Sequence, residues 1–189
     1  MFVFKILSVA LLACYPFLVY FTLDKWGLAA TAPLLLVVFA LRLATTFTAR
    51  QRNFFFLGLA AAAAGVLLTA LSWLLKRFEI LLYYPVATNL LFLFAFAATL
   101  ARPPSIIERL ARLTRPDFPP EGVSYTTKVT KIWCAFFLFN TAFSLGTVFS
   151  GDVRFWTIYN GAVSYLLMAL LFVGEYLVRR KILSKDAPG

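Results

Sequence analysis

The amino-acid sequence predicts an all-α fold: a polytopic transmembrane helical bundle with six spans and a short interfacial amphipathic helix between spans four and five. Three observations predict it. Apolar residues make up 62% of the 189 positions, well above the roughly 45–50% of soluble globular chains. Nearly uncharged runs of about the 20 residues that a hydrocarbon core demands occupy about 3–21, 28–47, 54–75, 80–100, 132–149 and 155–178. Charged residues gather between these runs, most densely over 102–131. The chain forms a single transmembrane domain over 1–189.

In the first run, Leu11-Leu12-Ala13-Cys14 resembles a lipoprotein cleavage box. A lipoprotein cysteine is followed by a polar tether, whereas Tyr15 to Phe21 extends the apolar stretch, so an uncleaved span kinked at Pro16 is favoured. Asp24 to Gly27 forms a short turn into the second span, which carries Arg42 near its far end and is closed by Arg50 and Arg52. The third span is rich in small residues. Ala61 and Gly65, four apart, let another helix approach closely and predict a central position in the bundle. After Lys76, Arg77 and Glu79, the fourth span is broken locally by Pro85.

The polar interval opens with Ser105 and Glu108 at capping-box spacing. At 100° per residue a helix over 106–115 puts Ile106, Ile107, Leu110, Ala111 and Leu113 on one side and Glu108, Arg109, Arg112 and Arg115 on the other. That pattern fits a helix lying in the membrane interface and equally a short connector packed on the bundle. Pro116, Pro119, Pro120 and Gly122 predict an extended loop to Ser124. Helix resumes at about Tyr125, the fifth span ends near Phe149, and Gly151, Asp152 and Arg154 turn the chain into the sixth, which Arg179, Arg180 and Lys181 stop.

The net charge of +10 would point to nucleic acid in a soluble chain. Here the basic residues lie between hydrophobic runs, where they report orientation and attract anionic lipid, so no nucleic acid is expected as a partner. One side of a six-span layout collects Lys5, Arg42, Arg50, Arg52, the 102–131 cluster and the basic C-terminal residues. The other has Lys25, Lys76, Arg77 and Arg154. The positive-inside rule then places both termini in the cytoplasm. Trp26, Trp73, Tyr83, Tyr84, Trp156 and Tyr159 gather near the outer interface. A five-span reading remains the alternative.

Two groups of residues are candidates for function. The first is a partner or lipid surface of Arg102, Arg109, Arg112, Arg115 and Lys128. The second is an intramembrane polar site of Arg42, Asn89, Asn140, Asn160 and Glu175, since polar groups in hydrocarbon are expensive. Arg42 and Glu175 fall at similar depth and could pair. Equally, Arg42 can snorkel and Glu175 has Arg179 one turn on. The asparagines either lock helices together or line a substrate path. With no histidine, with Cys14 and Cys134 inside apolar runs, and with no nucleophile-and-base motif, no catalytic residue, metal or cofactor is expected.

Pro104 to Leu110 (PSIIERL), Lys131 to Asn140 (KIWCAFFLFN) and Phe155-Trp156 resemble the bacterial inner-membrane septation protein A family. Arg102 to Ser105, Pro119 to Val123 and Trp133-Cys134 are similar to uncharacterised small membrane proteins encoded beside aryl polyene and fatty-acid-like biosynthetic genes. The resemblance covers most of the chain, but residues 116–122 depart from the septation proteins' pattern. It implies an inner-membrane location and an envelope-related role through protein contacts, with envelope or biosynthetic proteins as partners. A small lipid or polyprenyl-lipid transporter is the rival expectation, and an accessory to acyl-chain or aryl polyene biosynthesis a third.

Overall fold

A computed structural model describes residues 14–47, 52–114 and 120–185. Among these the chain is helical apart from short turns, and contains no strand. In order come α1 (Tyr15–Phe47), α2 (Arg52–Leu75), a 3₁₀ turn (Phe78–Tyr83), α3 (Tyr84–Ala101), α4 (Ile106–Thr114), α5 (Pro120–Phe149), α6 (Val153–Ile158), a π-helical turn (Tyr159–Val163) and α7 (Ser164–Lys185). Five stretches are long and apolar enough to cross a membrane: Tyr15–Ala44, Phe55–Leu75, Phe78–Ala101, Gly122–Phe149 and Val153–Val178. Leucines and phenylalanines such as Leu74, Phe94, Leu138 and Leu166 stand exposed on them, a surface suited to lipid rather than water.

The first two expected spans belong to one element with a break in it. Gly27 takes φ 68°, ψ −177°, a conformation essentially confined to glycine. Beyond it the chain reverses. A straight helix would hold residues 15 and 39 about 36 Å apart at 1.5 Å per residue, yet the Tyr15 and Phe39 rings are 5.8 Å apart. α1 is therefore a helical hairpin, and the hydroxyl of Thr31 donates to the Gly27 carbonyl at 2.8 Å beside the break. Most of the expected first span, 3–13, lies outside the described residues. The described count is thus five candidate crossings.

The small-residue stripe of α2 runs through Ala62, Gly65, Thr69 and Ser72, all buried, one position round from the expected Ala61 face. A Cβ at Gly65 would overlap the Phe39 ring, so the stripe receives the hairpin. α2 packs on α1, on the 3₁₀ turn and on α3, and the most extensive helix pairing is between α3 and α5.

Pro85 lies inside the Phe78–Ala101 stretch, where the 3₁₀ turn gives way to α3, so the regular helix is interrupted there. It sits in the first turn of α3, where a missing N–H costs nothing. The Leu81 carbonyl, which would face that missing N–H, instead accepts the Tyr84 N–H and the Tyr15 hydroxyl at 2.9 Å. Pro120 opens α5, so Gly122 to Ser124 are helical and not extended as expected. Residues 115–119 lie outside the described part. The sixth span, Val153–Val178, is built from α6, the π turn and the first part of α7, not one regular helix, and the α7 helix continues beyond it to Lys185. Asp152 caps it, its Oδ1 accepting from the N–H groups of Arg154 at 2.8 Å and Phe155 at 3.1 Å.

Two apolar cores result. One, around Tyr15, Phe39, Leu81, Tyr84 and Trp156, lies toward the Gly27, Lys76 and Gly151 turns. The other joins Phe96, Ile106, Val129, Trp133 and Phe137 toward α4. Trp156, Tyr84 and Tyr159 are buried, the first at 0% exposure, and the Trp156 indole donates to the Leu82 carbonyl at 2.9 Å. Of the expected aromatic belt, only Trp26 and Trp73 are exposed. The others hold the bundle together.

Candidate functional site

The α4 end assembles from a capped helix and a stapled turn. The Ser105 hydroxyl accepts the Glu108 N–H at 3.3 Å and the Thr99 hydroxyl accepts the Ile106 N–H at 3.0 Å, which satisfies donors that a helix start leaves free. Ile106 and Ile107 enter the core against Phe96, Val129 and Trp133. Glu108 does not share the outer face expected for it. It is 4% exposed, and its carboxylate turns to Arg112, with Nε at 2.9 Å and Nη2 at 2.7 Å. The reason is angular: positions 105, 108 and 112 stack one turn apart, so burying Ser105 carries Glu108 inward and requires the cation.

Arg109 donates from Nε to the Pro104 carbonyl at 2.8 Å and from Nη2 to the Arg102 carbonyl at 3.3 Å. Arg102, Arg109 and Arg112 are thus one turn-and-helix unit. Leu110 and Leu113 are exposed and, with Leu57, Ala95 and Arg109, border a groove of about 100 Å³. Lys128 and Lys131 are exposed on α5. Arg115 lies outside the described residues.

A second constellation fills the layer between the two cores. Asn140, 1% exposed, gives its two amide hydrogens to Asn89 Oδ1 at 3.1 Å and Ser164 Oγ at 2.7 Å, and its Oδ1 accepts the Tyr159 hydroxyl at 2.8 Å. Asn160 donates to Thr147 Oγ1 at 3.2 Å and to the Trp156 carbonyl at 2.9 Å while accepting Ser144 Oγ at 2.6 Å. In an α-helix adjacent side chains diverge by 100°. The π turn at 159–163 lets neighbours Tyr159 and Asn160 both reach α5.

The structure therefore joins Asn89 on α3 to Asn140 on α5 directly and sets Asn160, in the π turn, against the same α5 through Ser144 and Thr147. It does not add the charged pair. Glu175 is met by the Tyr125 hydroxyl, 3.3 Å from its carbonyl and 3.4 Å from Oε1, and Arg42, half-buried on α1, lies within electrostatic reach of Tyr84. The sequence reading missed Tyr159, Ser144, Thr147 and Ser164. The signal was available: 140, 144 and 147, like 160 and 164, repeat at helical spacing and mark polar stripes on facing helices.

Beside this network lies a cavity of about 170 Å³, walled by Tyr84, Phe92, Phe137 and Met168 and reached by Asn89 and Ser164. Its chemistry is that of hydrogen-bond donors set in aromatic walls, suited to holding a ligand. Among the described residues no three His, Cys, Asp or Glu side chains come together as a metal site. No protein-family model, curated protein or solved structure matches this chain.

Proposed function

We propose that this chain is a non-enzymatic protein of a bacterial inner membrane that crosses the bilayer six times with both termini in the cytoplasm. In this reading its role is envelope-related, as a scaffold or accessory in septation or envelope biogenesis, and its α4 face docks anionic lipid or partner proteins. The observation that carries the reading is the construction of that face. Ile106 and Ile107 anchor α4 in the core, leaving Leu110 and Leu113 exposed beside Arg109, with Arg102, Lys128 and Lys131 also exposed. Apolar side chains next to guanidinium and ammonium groups suit the acyl–phosphate boundary of a leaflet.

The α1 hairpin supports six crossings, because its limb before Gly27 runs back alongside the limb after it. The uneven distribution of basic residues supports the orientation, and the resemblance in the 104–110 and 131–140 segments supports the envelope role. The test replaces Arg102, Lys128 and Lys131 by Gln, sparing the structural Arg109 and Arg112. Each charge near a leaflet contributes about 1 kcal/mol of attraction to anionic lipid, so loss of the three should reduce cardiolipin retention by up to about a hundredfold in native mass spectrometry. Retention equal to that of the wild-type protein would sink lipid docking, and recovery of the same cytoplasmic proteins by proximity labelling would sink partner docking.

A lipid-transporter reading has one observation in its favour, the cavity beside Asn89 and Asn140. Vesicles in which the reconstituted protein moves no lipid above background would end it.

A further inference from the structure

We infer that the cavity between α1, α3 and the start of α7 is a binding site for a slim membrane amphiphile that ends in an oxygen acceptor, a fatty-chain carboxyl or ester carbonyl. The inference stands apart from lipid docking at α4 and requires no transport.

The argument starts from hydrogen bonds that are not made. Tyr84 is 6% exposed and lines the cavity, and its hydroxyl, within electrostatic reach of Arg42, makes no hydrogen bond to a described residue. Among the described residues no buried side-chain polar atom is sealed away without a partner, so this hydroxyl is accessible and not shut into the core. Ser164, 8% exposed, accepts from Asn140 and donates to nothing among the described residues. Asn89 spends one amide hydrogen on the Pro85 carbonyl at 2.8 Å and keeps the other. Thr88, in contrast, is spent on the carbonyls of Tyr84 and Pro85, each at 3.0 Å. The unspent hydrogens are therefore donors, and in a hydrocarbon setting they demand an acceptor.

Size and shape limit what supplies it. An apolar cavity of about 150 Å³ holds benzene, so about 170 Å³ takes a ring or a short length of chain with its head, and not a whole phospholipid. Phe92, Phe137 and Met168 supply the apolar wall, and Tyr165, which also lines the space, is 39% exposed, so the cavity reaches the surface that faces lipid. Asn140 and Asn160 are already saturated. They fix the wall and leave Tyr84, Ser164 and Asn89 to read the ligand.

The experiment uses the full chain in nanodiscs with two photoreactive probes, a diazirine palmitic acid and a phosphatidylethanolamine carrying the same chain, and maps labelled peptides by mass spectrometry. Labelling should fall on Phe92, Phe137 or Met168. Preference for the free acid identifies a fatty acid, and preference for the phospholipid identifies an acyl ester. Tyr84→Phe removes a hydroxyl that makes no hydrogen bond to a described residue, so it should change thermal stability little and weaken probe retention about three- to tenfold, the range of one net hydrogen bond. Met168→Trp, which fills the cavity, should abolish labelling there. Labelling absent from these residues with both probes, or unaltered in both variants, would overturn the site and leave only water in the cavity.

Discussion

Tyr15 and Phe39 stand at equal distances along the chain on either side of Gly27, with ring centroids 5.8 Å apart. Tyr84 completes the cluster at 4.7 Å from Tyr15 and 4.9 Å from Phe39. The relationship makes the first described helix a hairpin and places its turn at the same end of the bundle as the Lys76 and Gly151 turns. One glycine at positive φ carries it.

Gly27→Ala should destabilise the protein by about 1–3 kcal/mol, the cost of holding a side chain in that backbone region. A Cβ at Gly27 would meet nothing within 4 Å, so steric crowding cannot account for a loss. Denaturation of the detergent-solubilised protein would measure it, and a variant as stable as wild type would refute the hairpin geometry.

Gly65 reports the packing of the hairpin on α2. Gly65→Ala drives a methyl into the Phe39 ring, and overpacking of this kind costs about 1–3 kcal/mol. Shortening the partner with Phe39→Leu should recover part of that loss. Strict additivity of the two substitutions in a double-mutant cycle would mean that the side chains do not touch.

The membrane class, apolar stretches close to 54–75 and 80–100, and the helix after Ser105 were legible in hydropathy, length and capping chemistry. The failures share a cause: local rules lack a third dimension. Pro120 read as a breaker because only context shows that a first turn needs no N–H there. Glu108 read as a solvent-side charge because hydrophobicity alone placed the helix face, whereas the Ser105 cap and the Arg112 pair set its rotation. The π turn shifts register after Ile158, so a constant 100° step could not bring both Tyr159 and Asn160 to α5. At the candidate site the asparagines stood out as polar residues in apolar runs, but their partners Ser144, Thr147 and Ser164 are small and common enough to pass unnoticed.

Asn140 should couple to Asn89 across the α3–α5 interface. Asn140→Leu strands Tyr159 and Ser164 as well, and leaving buried polar groups without partners costs about 1–3 kcal/mol each. The cycle of Asn89→Leu with Asn140→Leu should show a coupling near 0.6 kcal/mol and no more than about 1.7, the range of interhelical hydrogen bonds in membranes. Zero coupling in unfolding titrations would contradict the 3.1 Å contact.

Glu108 and Arg112 offer a sharper contrast. Arg112→Ala leaves a carboxylate at 4% exposure without this cation and should cost about 1.5–3 kcal/mol, as for hydrogen bonds to charged groups. Adding Glu108→Gln should restore part of the stability, because the stranded charge is gone. Proteolysis of the α4 region would follow both steps. Equal susceptibility of the single and double variants would show that the pair does not support the helix.

Sidedness tests the proposed account most directly. In a background without Cys14 and Cys134, single cysteines at 25, 77 and 154 should react with a membrane-impermeant maleimide in intact spheroplasts. Cysteines at 102 and 128 should react only after permeabilisation, together with a tag at the N-terminus. Labelling of 102 or 128 from outside would put the arginine-bearing face in the wrong compartment and contradict the account.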